Sequence, residues 1–178
     1  MPVLKLGYHG TSRTVANKIK REGFRLGKYP GWLGTGVYVF EENPGLALQY
    51  AQCKKFVAEP TIIKAHLSID EDTILDVSIP GSKGNRLFHE FKDSLQKAIV
   101  LKQYHIEFKN KYEMDGHTID RLCKVREFSV VRGFTYTYNK LDKEYTHASG
   151  IANGVELCLK NLKHIQKVEI FEDEYLIG

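Results

Sequence analysis

Apolar and polar positions recur along the chain with spacings that predict a strand-rich α+β domain carrying about four helices. Val3, Leu4, Leu6 and Tyr8 mark a short strand of imperfect alternation. Thr11 or Ser12 then stands where it caps a helix with Val15, Ala16 and Ile19 on its inner side and Gly23 at its end. The glycine-rich stretch GKYPGWLGTG leads into an apolar strand over 37–40, and Asn43 with Pro44 signals a second helix, on which Leu46, Ala47, Tyr50 and Ala51 share a side. TIIKAHLSI and TILDVSI read as strands. Leu87, Phe91, Leu95 and Ala98 outline an amphipathic helix over 86–103, and Ile119 and Leu122 a shorter one over 118–126, with Asp115, Gly116 and His117 suited to a turn before it. The run FSVVRGFTYTY is a strong β-former in which Phe134, Tyr136 and Tyr138 project opposite Thr135 and Thr137. Two closing strands flank a turn near Asn161; in the first, Val155, Leu157 and Leu159 alternate with Glu156, Cys158 and Lys160, turning Glu156 away from the aliphatic side.

The elements do not repeat as strand, helix, strand, and no GxGxxG is present, which argues against a doubly wound dinucleotide-binding sheet. At about 150 residues per domain, 178 residues make one domain over 1–178, large enough to bury roughly 70% of its unfolded surface without a staple. The excess of 26 Lys and Arg over 22 Asp and Glu gives +4, dispersed along the chain, which permits a nucleic-acid partner without implying one. Cys53, Cys123 and Cys158 are odd in number and lack CxxC spacing, so neither a disulfide framework nor a cysteine-rich zinc site is expected, and a reducing, cytoplasmic setting is. His66, His89, His105, His117, His147 and His164 form no compact ligand pattern, so no metal is expected either. The opening MPVLKLGYHG lacks the features of a secretion signal, and no apolar run approaches the ~18 residues of a membrane span.

Three blocks carry candidate chemistry: YHGTS with His9, GTGVYVF with Tyr38 followed by a helix bearing Tyr50, and NGVELCLKNLKHI with Glu156. In this order the blocks resemble the His–Tyr–Glu branch of the ADP-ribosyltransferases, the group that includes diphtheria toxin and the poly(ADP-ribose) polymerases, and they span nearly the whole chain. The resemblance implies split antiparallel β-sheets flanked by short helices. It also implies cleavage of NAD between nicotinamide and ribose, transfer of ADP-ribose to a macromolecular acceptor, and no metal. By the same resemblance, His9 hydrogen-bonds the adenosine-side ribose, Gly10 reads the nicotinamide amide through its main chain, Tyr38 and Tyr50 sandwich the nicotinamide ring, and Glu156 is the catalytic carboxylate. Thr11 and Ser12 either contact the nucleotide or cap the helix. Ala47 departs from the pattern, standing where polymerase-like members present an amide-binding serine.

The chemistry also stands on elementary grounds. Breaking the nicotinamide–ribose bond develops oxocarbenium character on the sugar, which a fixed anion stabilises more in the transition state than in the ground state. Flat aromatic faces hold the departing ring, and one carboxylate suffices. The compact chain suits a small bacterial toxin or phage-defence effector, with an antitoxin as a conceivable partner, and single transfers rather than elongation. Modest positive charge and aromatic residues favour RNA or DNA slightly over protein as acceptor. The alternatives are an RNA 2′-phosphotransferase-like enzyme, against which Glu156 argues, and a noncatalytic NAD-binding module.

Overall fold

A computed structural model describes residues 2–54, 57–145 and 149–172, leaving out the side chains of Lys143 and Tyr145; His147 lies outside the described residues. Strand β1 (Pro2–Ser12) is followed by helix α1 (Arg13–Glu22), strand β2 (Val37–Glu41), helix α2 (Pro44–Cys53), the long strand β3 (Pro60–Asp70) and the short strand β4 (Ile74–Asp76). Helices α3 (Lys83–Val100) and α4 (Lys111–Arg126) come next, then β5 (Val130–Thr135), the short α5 (Lys140–Tyr145), β6 (Gly154–Leu159) and β7 (Ile165–Phe171). The helix boundaries follow local chemistry. Ser12 accepts the Val15 amide hydrogen and Gly23, at φ 77°, ends α1; Asn43 accepts from the Leu46 amide, with Pro44 opening α2.

The strands form one seven-stranded sheet in the order β4-β5-β6-β2-β1-β3-β7. The fold is therefore α+β, as the pattern predicts, but the sheet is single and mixed: β4 runs parallel to β5 while the other neighbours are antiparallel. Its weakest joint is between β1 and β2, which share only the pairs Gly7–Glu41 and Tyr8–Phe40, whereas β1 and β3 pair over eleven positions. Beyond Tyr8 and Phe40 the two strands are no longer paired.

Parity assigns the faces. Val37, Val39, Leu157 and Leu159 pack with Ile63, Leu67 and Val130 under α1, through Ala16, Ile19 and Phe24. On the opposite face Cys158, Val131 and Leu75 pack against Phe88 of α3 and Ile119 and Leu122 of α4, while Tyr8 and Phe40 pack under Leu46 and Ala47 of α2. Several expectations change: β5 ends at Thr135, so Tyr136 and Tyr138 lie beyond the strand and border the same cavity as Thr135 and Thr137. Val15 is 44% exposed rather than an inner residue of α1. Asp115, Gly116 and His117 lie inside α4, which begins seven residues earlier than its apolar pattern suggests because Asn110 accepts from the amides of Tyr112 and Glu113. Position 116 in that helix needs glycine because the Gly31 carbonyl occupies the space of a side chain there, 2.0 Å from where a Cβ would stand.

Candidate active site

The site opens where β1 and β2 part. His9 follows the last pair, and in place of a ladder bond its Nδ1 lies 2.8 Å from the Tyr38 carbonyl. A carbonyl only accepts, so Nδ1 carries a proton and donates it. Burial, reinforced by the Lys54 ammonium, pulls the His9 pKa below its ordinary value despite this bond, which keeps the ring neutral at pH 7 and leaves Nε2 as an acceptor. Phe24 packs edge-on against the imidazole with ring centroids 5.4 Å apart.

Glu156 is paired across the sheet with Phe40 on one side and Gly133 on the other, so its carboxylate leaves the sheet on the α2 and α4 face. The residue is only 9% exposed, and Trp32 Nε1 donates to its Oε2 at 2.6 Å. Burial pushes the Glu156 pKa up, and the Trp32 hydrogen bond partly offsets this by favouring the anion. Gly133 explains how the indole reaches the carboxylate: a Cβ there would stand 2.5 Å from the edge of the Trp32 ring. Neither Trp32 nor Gly133 was distinguished by spacing or motif; the only signal available was a lone tryptophan inside a glycine-rich loop.

That loop is fastened from below. The Tyr38 hydroxyl donates to the Gly34 carbonyl at 2.7 Å and accepts from the Leu33 amide at 2.9 Å, and burial raises its pKa. Asp120 accepts from the Thr35 amide and hydroxyl, and Lys160 Nζ bridges the Asp120 carboxylate and the Leu33 carbonyl. Tyr38 therefore offers its ring as a wall while its hydroxyl holds the loop that carries Trp32. The thiols of Cys158 and Cys123 are pushed up by burial to about 11 and about 12, so neither is a thiolate near neutral pH.

These parts enclose a cavity of about 430 Å³ lined by His9, Gly10, Trp32, Tyr38, Phe40, Tyr50 and Glu156 together with the segment 135–138. A second cavity of about 480 Å³ lies toward α1, lined by Lys18, Glu22, Phe24, Arg25 and Gly27, and it shares His9, Tyr38 and Tyr50 with the first. Both fall in the size range of small-molecule sites. Tyr50 meets Phe40 edge-to-face at 6.1 Å, with Lys54 Nζ 4.3 Å from its ring centre.

His9, Gly10, Tyr38, Tyr50 and Glu156 thus come together from four elements. Thr11, Ser12 and Ala47 do not line either cavity. Ser12 caps α1, Thr11 pairs with Thr61 in the sheet, and Ala47 is fully buried, its carbonyl 1.8 Å from where a Gly10 Cβ would stand. Glycine at position 10 is required by the close approach of α2. Among the described residues no cluster of His, Cys, Asp and Glu is arranged to hold a metal, and no helix is long and apolar enough to cross a membrane.

The chain is similar to Uncharacterized protein MJ0359 of Methanocaldococcus jannaschii, with 25% identity over 197 aligned residues covering 96% of this chain and 88% of that protein. No family model and no solved structure matches it.

Proposed function

We propose that the protein is an NAD-dependent ADP-ribosyltransferase of the His–Tyr–Glu kind. The observation that carries this reading is a single buried carboxylate, Glu156, held by an indole N–H on the floor of an aromatic cavity, with a neutral histidine acceptor where that cavity meets a second one. Two cavities joined at His9, Tyr38 and Tyr50 suit a substrate with two flat ends. The aromatic cavity beside Glu156 takes the nicotinamide riboside half, and the cavity bordered by Lys18 and Arg25 takes the adenosine half. His9 Nε2 accepts from a ribose hydroxyl. Rings of Tyr38, Phe40 and Tyr50 hold the nicotinamide, excluding water from the bond that breaks.

Nicotinamide leaves with the bonding pair, neutral, and positive charge grows on the ribose as it departs. Glu156 opposes that charge from a low-dielectric pocket, where a fixed anion stabilises the transition state most strongly. Its raised pKa also suits it to accept the proton of an attacking acceptor.

Glu156→Gln keeps the shape and an oxygen for Trp32 while removing the charge. Nicotinamide release at saturating NAD should fall by at least ~10²-fold, equivalent to about 2.7 kcal/mol in the barrier, with NAD affinity nearly unchanged. A folded variant that keeps native turnover overturns the reading.

A further inference from the structure

We propose that the acceptor is a base of a single-stranded nucleic acid, stacked on Tyr138 beside the Glu156 cavity, with its backbone running past Lys54 and Lys140; this rests on the transferase reading above. From the last residue of β5 the chain runs on as the segment 135–138, all four residues of which line the first cavity. Side chains pin this segment. Asn153 accepts from the Thr137 amide at 2.8 Å, Asn153 and Gln49 both donate to the Thr137 carbonyl, and the Cys53 thiol lies 3.1 Å from the Tyr138 carbonyl. The Tyr136 hydroxyl donates to Asp142, and Tyr136 braces Tyr138 edge-to-face at 5.6 Å. Tyr138 is nevertheless 51% exposed, so it is a ring held in place with a surface left open.

An aromatic face fixed before binding costs little entropy to use, and every base stacks on one. Charge favours the same occupant. A neighbouring groove, lined by Gln49, Gln52, Asn139, Lys140 and Leu141, shares Cys53 with the cavity. Exposed Lys54 borders the cavity and exposed Lys140 the groove, and among the described residues Glu156 is the one carboxylate that lines either. A basic peptide would meet both lysines, and an acidic one would offer no flat ring to the open face of Tyr138. A phosphate backbone pairs with the lysines while neutral amides serve sugar and base edges. Transfer then balances simply. The C1′–nitrogen bond of NAD breaks with its electron pair leaving on nicotinamide, a lone pair of the base forms the new bond to C1′, and the displaced N–H proton passes to Glu156.

The test measures binding without NAD, by fluorescence anisotropy, for matched DNA and RNA oligonucleotides of about 12 nucleotides at low and moderate salt. The native chain should bind at least one of them, more weakly as salt rises. Tyr138→Ala should weaken binding at least 10-fold while Tyr138→Phe retains it, and the surface change Lys140→Glu should weaken binding and flatten the salt dependence. Labelled NAD incubated with cell extract should place nuclease-sensitive label on the acceptor. No binding to either oligonucleotide, no effect of Tyr138→Ala and Lys140→Glu, or label sensitive to protease alone overturns the proposal. Oligonucleotide binding by a chain that releases no nicotinamide would overturn the transferase reading, and with it the transfer step, while leaving the binding surface standing.

Discussion

Glu156 is a carboxylate kept where it does not want to be charged. Burial raises its pKa in the folded state, so the native protein holds the proton more tightly than the unfolded chain does. Stability from this group is therefore fully present below the ordinary carboxylate pKa and is lost as pH rises through the higher folded value. The corresponding expectation is that Glu156→Gln is more stable than the native chain at pH 7 to 8. The difference in melting temperature should shrink as pH falls from the raised folded value toward the ordinary carboxylate value, and should be gone below about 4.5. Equal melting curves across that range would mean that the carboxylate is better solvated than its 9% exposure implies. The neutral His9 has the opposite sign: its lowered pKa adds stability above pH ~6.5, which is lost in acid as the ring is forced to protonate.

At the scale of elements, the amphipathic helices and the alternation in β6 were readable because one local period decides them. Leu157 and Leu159 did prove to face the aliphatic core with Glu156 on the other side. What local periods could not reveal were contacts made by glycines for non-local reasons. Gly116 looks like a turn residue but lies in α4, where glycine is needed because the Gly31 carbonyl presses on it, and Gly133 looks like a flaw in a strand but makes room for Trp32. The candidate site was legible as three motif blocks, whereas the indole that holds Glu156 belongs to a loop whose course depends on Tyr38, Asp120 and Lys160. Gly10 gives the sharpest test at this scale. Gly10→Ala drives a methyl into the Ala47 carbonyl, and α2 must retreat, at about 1–3 kcal/mol. The melting temperature should drop by about 2–4 °C per kcal/mol, and NAD binding should weaken because α2 carries Tyr50.

At the scale of the whole molecule, the sheet consists of two well-paired halves meeting at a joint of two residue pairs, with His9 bonded across the opening to Tyr38. A cavity lies at each end of that opening, one toward α1 and one toward α2 and β6. A ligand that fills both touches the two halves at once, and it favours the folded chain by its binding free energy. NAD at 100 times its Kd should raise stability by about 2.7 kcal/mol. Nicotinamide and AMP, each occupying one cavity, should each raise the melting temperature less at the same concentration. If either fragment alone reproduces the full effect of NAD, the two cavities are not one dinucleotide site.

The hydrogen bond from Trp32 to Glu156 makes the protein its own optical probe. Trp32 is the single tryptophan of the sequence, so all indole emission originates at one ring whose N–H rests on the carboxylate. Whatever neutralises, displaces or dries that carboxylate changes the electric field on the ring that emits. Acid titration should therefore leave a signature in the intrinsic fluorescence of the unlabelled chain, and on the proposed reading so should nucleotide entry and acceptor docking, before any product is formed.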